Sequence, residues 1–125
     1  MTKTLELRKI ITKRLNTIQG GTYYRTAPKD EPFPYKTYEL TSVAFPDCNR
    51  DDYELCVDIW CRGSNTNNIE VLADQIEQLF NNANLPQETI LPTFYRESRY
   101  FVDDPDKTLM HIQLRFSVQL YEQEV

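Results

Sequence analysis

The only histidine of the chain, His111, occupies a polar position in a stretch where polar and apolar residues alternate, and Asp58 and Glu54 occupy polar positions of a second such stretch. A histidine facing a carboxylate across a sheet is an arrangement that can orient an imidazole for general acid–base work. No nucleophile motif accompanies these residues, and no glycine-rich phosphate loop does either: of three glycines, Gly20 and Gly21 follow a predicted helix. His111 therefore reads as a solvated strand histidine, with a small enzyme or ligand-binding protein built around His111 and Asp58 as the alternative. Asp103, Asp104 and Asp106 crowd one turn without the ligand spacing and closing Glu of a calcium loop. Cys48, Cys56 and Cys61 match no metal-ligand spacing, and Cys56 and Cys61 fall on opposite faces of one predicted strand, where they read as reduced, small apolar residues. The expectation is a chain with no catalytic residue, no cofactor and no metal.

The elements that would position these residues follow from periodicity. From Thr108 to Tyr121, the residues Met110, Ile112, Leu114, Phe116, Val118 and Leu120 alternate with His111, Gln113, Arg115, Ser117 and Gln119. This is the period of a half-buried strand, and at about 3.3 Å per residue it spans roughly 40 Å. A slip of one residue would turn its whole apolar set to water, so its register should be firmly set. Tyr53–Arg62 shows the same alternation, which puts Trp60 on the side of the charged residues, to be covered by a loop or by another chain.

Before and between these strands lie two amphipathic helices. Leu7, Ile10, Ile11, Leu15 and Ile18 form a stripe within Lys3–Gln19, with Leu5 off it. Lys3, Arg8, Lys9, Lys13 and Arg14 make that helix basic, either as a solvated face or as a docking surface for an acidic partner. The second helix has its stripe at Ile69, Leu72, Ala73, Ile76, Leu79, Phe80 and Ala83, with Glu70, Asp74, Glu77 and Gln78 outside it and an Asn67–Glu70 capping pair at its start. Thr22–Thr26 and Tyr35–Phe45 read as strands separated by the proline-rich arm APKDEPFP. Pro46–Asp52 reads as a polar turn, Asn81–Pro92 as a long polar connection and Phe94–Val102 as a strand. These elements predict an α+β domain over residues 1–125, a two-layer arrangement with a mainly antiparallel sheet of about four to five strands and two helices packed on one face.

The 125 residues carry a net charge of −5, which disfavours nonspecific attachment to DNA or to an anionic membrane. No apolar run approaches the roughly 20 residues of a membrane span, and the N-terminus lacks the apolar core of a secretion signal, so a cytoplasmic origin is expected.

Several short stretches carry a family resemblance: the Tyr-rich first strand, Phe33-Pro34-Tyr35 ahead of Tyr38 and Leu40, Val57-Asp58-Ile59-Trp60 leading into a helix with Leu72-Ala73-Asp74 and Ile76, and the final long strand. In that order they resemble the tail terminator, or tail completion, proteins of long-tailed bacteriophages and prophages, over nearly the whole chain. The segment from Asn84 to Arg99 departs from the pattern in being longer and more polar.

The resemblance implies a minor tail protein that caps the head-proximal end of the tail tube as a homo-oligomeric, typically hexameric, ring. Its partners would be the tail tube protein and a head-completion or connector protein, with DNA only as cargo and no membrane. It would be assembled in the bacterial host cytoplasm and reside in the virion. Lys29, Asp30, Phe33, Pro34, Tyr35 and Trp60 are the expected subunit or tube contacts. A head-tail joining protein or a tail tube subunit is the nearest alternative.

Overall fold

The computed structural model describes residues 2–44, 50–87 and 89–122. The elements in chain order are α1 (Lys3–Leu15), β1 (Gly21–Tyr24), β2 (Tyr35–Ala44), β3 (Arg50–Arg62), α2 (Asn67–Phe80), β4 (Ala83–Asn84), β5 (Ile90–Val102) and β6 (Leu109–Glu122). The strands among the described residues form one sheet of six, in the order β1-β2-β3-β6-β5-β4. The α+β class matches the sequence reading, whereas the strand number is higher and one pairing is parallel.

The long C-terminal strand is central, antiparallel to both β3 and β5. Ile112, Leu114, Phe116, Val118 and Leu120 are buried on one face, opposite Ile59, Val57, Leu55 and Tyr53 of β3. β3 begins at Arg50, so Asp51 and Asp52 are paired with β2 and β6 and do not belong to a turn. The rest of the turn expected there, together with Phe45, lies outside the described residues.

Both helices cover this apolar face. Thr2 caps α1 by accepting the Leu5 N–H at 3.2 Å, and Leu7, Ile11 and Leu15 enter the core with Ile10 and Ile18 packed beside them. The helix ends at Leu15, short of the expected Gln19. Beyond Asn16 the bonds shorten to Thr17 N–H on Arg14 O and Ile18 N–H on Leu15 O, while the Thr17 hydroxyl also takes Arg14 O at 2.7 Å. The positive φ belongs to Gly20, at 97°, which leads into β1; a Cβ there would lie 2.4 Å from Pro34 O. The carbonyls of Ile18, Gln19 and Gly20 are gathered by the ammonium of Lys36, at 3.1, 3.0 and 2.8 Å. Lys36 is fully buried, and desolvation pulls it down to about 8.

In α2 the buried stripe is Ile69, Leu72, Ala73, Ile76 and Phe80, with Leu79 packed against the core. Three expectations change. The residue before the helix is Thr66, whose hydroxyl donates to Glu70 Oε2 at 2.7 Å, so Thr66 and not Asn67 is partnered with Glu70. Glu77, expected on the outer face, is buried because β5 presents arginines to it: Arg96 at 2.8 Å and Arg99 at 2.6 Å, the latter shared with Asp74. Ala83 continues no stripe and instead pairs with Phe94 in β4.

The arm explains the parallel pair. A tight turn after β1 would have reversed the chain, but Arg25–Pro34 carries it back so that β2 runs alongside β1 in the same direction, with Gly21 opposite Tyr35. At the other edge, the segment expected to be a long connection contributes β4 and the first residues of β5. Pro92 is tolerated in β5 because its carbonyl accepts the Leu85 N–H on the β4 side. Its missing N–H therefore lies away from β6. Within 84–99, Asn84 belongs to β4 and residues 90–99 to β5, so much of this polar stretch is strand near the sheet edge: β5 bulges between Arg96 and Ser98 and meets β4 only at Thr93 and Phe94.

Two stability predictions follow from these contacts. Phe80 is fully buried between Phe94 and Phe116, at 5.0 and 5.5 Å between ring centres, so Phe80→Ala should cost about 3–5 kcal/mol in urea unfolding. For Lys36, the unfolded side chain titrates near 10.5 and the folded one near 8. Between these values the unfolded chain binds the extra proton, so this group's contribution to stability increases as pH rises through the window. Relative to Lys36→Met, the wild-type chain should gain on the order of 1–3 kcal/mol from about pH 8 to about pH 10.5. Parallel stability curves for the two proteins would refute this assignment.

Candidate functional site

The face of the sheet opposite the helices carries the residues that the sequence singled out. Register places Tyr35 of β2, Trp60 of β3 and His111 of β6 in one row, because Tyr35 pairs with Trp60 and Trp60 with His111. Direct cross-strand neighbours stand close enough for rings to stack. The Tyr35 and Trp60 rings are 5.1 Å apart at 24°, and those of Trp60 and His111 are 4.3 Å apart at 22°. Phe33, two residues before Tyr35, extends the row at 5.4 Å, and the Arg62 guanidinium lies 4.9 Å from the Phe33 ring centre. Trp60 is half-buried, flanked by rings of its own sheet, and Phe33 remains 37% exposed.

A polar network lies beside this row. His111 Nε2 is 2.6 Å from Asp58 Oδ1, which also accepts from Gln113 Nε2 at 3.0 Å. Gln113 Oε1 accepts from Tyr100 and from Arg115 Nε at 3.3 Å, and Arg115 pairs with Glu54. Of the two carboxylates expected opposite His111, Asp58 meets it and Glu54 meets Arg115. The His111–Asp58 contact is a cross-face strut, with one imidazole face against Trp60 and the carboxylate oxygen shared with Gln113. The neighbouring Cys56 thiol is pushed up to about 12, first by burial and then by the Asp58 carboxylate, which keeps it protonated and unreactive near neutrality.

The aspartate turn is a structural tie. The Asp106 carboxyl is held down to about 2 by the Thr108 hydroxyl and N–H and by Arg62, whose Nη1 stands 3.0 Å from Asp106 Oδ2. Among the described residues, no three His, Cys, Asp or Glu side chains converge as a metal would require.

The expected contact residues therefore divide. Phe33, Tyr35 and Trp60 come together in the stacked row, and Pro34 lies between the first two with its carbonyl against Gly20. Lys29 and Asp30 stand exposed on the arm, Asp30 with a φ of 64°. His111, read from the sequence as a solvated strand histidine, and Arg62 join the row; the shared polar parity of Trp60, Arg62 and His111 was visible, but their alignment depends on register. Where the arm reaches α2, Phe33, Pro34, Arg62, Val71 and Gln75 line a groove, with Val71 53% exposed.

No family model and no curated protein matches this sequence. Solved structures do. One is described as the virion of a native gene transfer agent particle: a chain in it is 9% identical, with a TM-score of 0.65 over 91% of this chain and 85% of that one. A second solved chain is 13% identical, with a TM-score of 0.70 over 100% of this chain and 98% of its own length. At such identities the likeness concerns the fold.

Proposed function

We propose that this protein is a structural component of a long-tailed phage or prophage virion, a tail terminator that caps the head-proximal end of the tail tube as a homo-oligomeric ring. The observation that carries this reading is the fold match along 91% of the chain to a chain of a gene transfer agent virion. The open sheet face supports it: a row of aromatic rings ending in an exposed Phe33 gives the large, rigid contact area that subunit interfaces favour. A ring needs a heterologous contact, one patch of each copy on a different patch of the next. The ring, hexameric in this reading, stops tube growth and offers its far side to the head-completion or connector protein, while DNA passes through as cargo. The exposed arm residues Lys29 and Asp30 and the row Phe33, Pro34, Tyr35 and Trp60 are assigned to subunit or tube contacts.

The His111–Asp58 strut serves the same structural role, because it fastens β3 to β6 beneath the aromatic row. A tube subunit or a head-tail joining protein would produce different particles when absent, which makes electron microscopy of a deletion strain decisive. Filled heads beside unattached tails of irregular length are the expected result. Missing tails would instead indicate a tube or initiation role, and intact virions would remove the protein from tail assembly.

At the residue level, Phe33→Ala is the clean probe, since Trp60 also supports the monomer by stacking on both Tyr35 and His111. Phe33→Ala should weaken ring association by about tenfold in sedimentation or native mass spectrometry while leaving the far-ultraviolet circular dichroism unchanged. Unaltered assembly would exclude Phe33 from the interface.

A further inference from the structure

The outer side of α1 carries a groove lined by Leu5, Arg8, Lys9, Thr12, Lys13 and Tyr38. Its floor is apolar or uncharged and its rim is cationic. Leu5 is 44% exposed, Lys9 and Lys13 are exposed, and the Arg8 guanidinium lies 3.7 Å from the Tyr24 ring centre. Among the described residues, no carboxylate stands within ion-pair distance of Arg8, Lys9 or Lys13. In a chain of net charge −5, three such cations around an apolar floor form a local charge inversion. The other basic residues of the helix are engaged elsewhere, Lys3 by Asp51 and Glu122 and Arg14 by Leu79 O.

The complementary element is on the same chain. The β5–β6 turn has Asp103 exposed and Asp104 half-buried, preceded by Phe101, which is 47% exposed although its register partner Ile112 is fully buried. Asp106 is committed to Arg62 and Thr108, and Lys107 is the cation of the turn. Asp104 Oδ1 accepts the Asp106 N–H at 2.9 Å, which shapes the turn without neutralising the carboxylate, so Asp103 and Asp104 carry the turn's negative charge that no cation among the described residues matches. Within one chain the two features stand at different ends of the sheet: Lys3 and Glu6 at the start of α1 meet Asp51, Glu122 and Thr89, whereas the turn meets Arg62 at the far end of β3.

We propose that the α1 groove receives the β5–β6 turn of a second copy of this chain, with Phe101 against Leu5 and with Asp103 and Asp104 facing Arg8, Lys9 and Lys13. The two patches belong to opposite regions of the sheet, so the contact is heterologous and propagates from copy to copy, as ring closure requires. The inference rests on the ring reading above and supplies it with a specific pair of surfaces. The apolar anchor provides contact area, and the charges set orientation and make association salt-sensitive.

Charge exchange tests it. The wild-type chain, the Lys9→Glu/Lys13→Glu variant, the Asp103→Lys/Asp104→Lys variant and the chain carrying all four changes are compared by native mass spectrometry and sedimentation, with circular dichroism to establish folding. The substituted side chains lie outside the core. Each double variant should lose association by about tenfold or more while remaining folded, and the fourfold exchange should recover it. A wild-type chain that stays monomeric overturns both the ring and the groove assignment. A ring that forms equally well from Lys9→Glu/Lys13→Glu overturns the groove alone, as does a folded fourfold variant that fails to recover. Retention of single-stranded DNA by the wild-type chain but not by Lys9→Glu/Lys13→Glu, with assembly unchanged, would assign the groove to a polyanion instead.

Discussion

β6 has hydrogen-bonded neighbours along almost its whole length on both sides, and this double constraint determines where every other element can lie. Its alternating residues commit one face of three adjacent strands at once: Leu114, for example, stands between Val57 and Arg99. Once that register is set, the apolar side must be covered and two amphipathic helices are available to cover it. The same register sets the other face, where Tyr35, Trp60 and His111 align although they come from distant parts of the chain. The apolar core and the aromatic row are thus two consequences of one pairing.

Lys36 performs a second kind of coupling. Its side chain points to the helix side of the sheet and collects the carbonyls where the chain leaves α1, while the next residue in the alternation, Thr37, is buried on the opposite face. The end of α1, the close approach of Gly20 to Pro34 and the start of β2 are therefore tied at one place. Phe33 emerges directly from that tie. The exposed ring at the end of the stacked row is presented by a buried ammonium and a glycine, so its position on the surface depends on polar groups removed from water.

Charge is distributed unevenly over the two layers. On the open face, Glu54 is matched by Arg115, and Asp58 by His111 and Gln113, so these carboxylates serve to join strands. On the helix side, Glu77 binds β5 to α2 through Arg96 and Arg99. Two local groups of charge remain, basic Arg8, Lys9 and Lys13 along α1 and acidic Asp103 and Asp104 at the β5–β6 turn. In the ring proposed above, such polarity would favour head-to-tail addition over closed pairs, which a self-complementary patch would give.

What was legible in the sequence was what depends on short-range periodicity. The two long alternating strands, the buried stripes of both helices, the exposed Leu5 and the proline-rich arm follow from which side chains can share one face of a helix or strand, and neighbours along the chain decide that. The α+β class follows in turn from the need to cover one apolar sheet face. Tertiary structure alone decided the matters of pairing. Glu77 looked like an outer-face residue until β5 brought Arg96 and Arg99 to it, and Glu54 looked as eligible for His111 as Asp58 until register chose between them. β1 turned out parallel to β2, and residues 83–84 and 90–93 of the polar stretch before Phe94 became strand, because hydrogen-bond partners from elsewhere in the sheet were available to both. The physical reason is common to all four: local pattern says which way a side chain faces, whereas its neighbour is set by contacts between segments far apart in the chain.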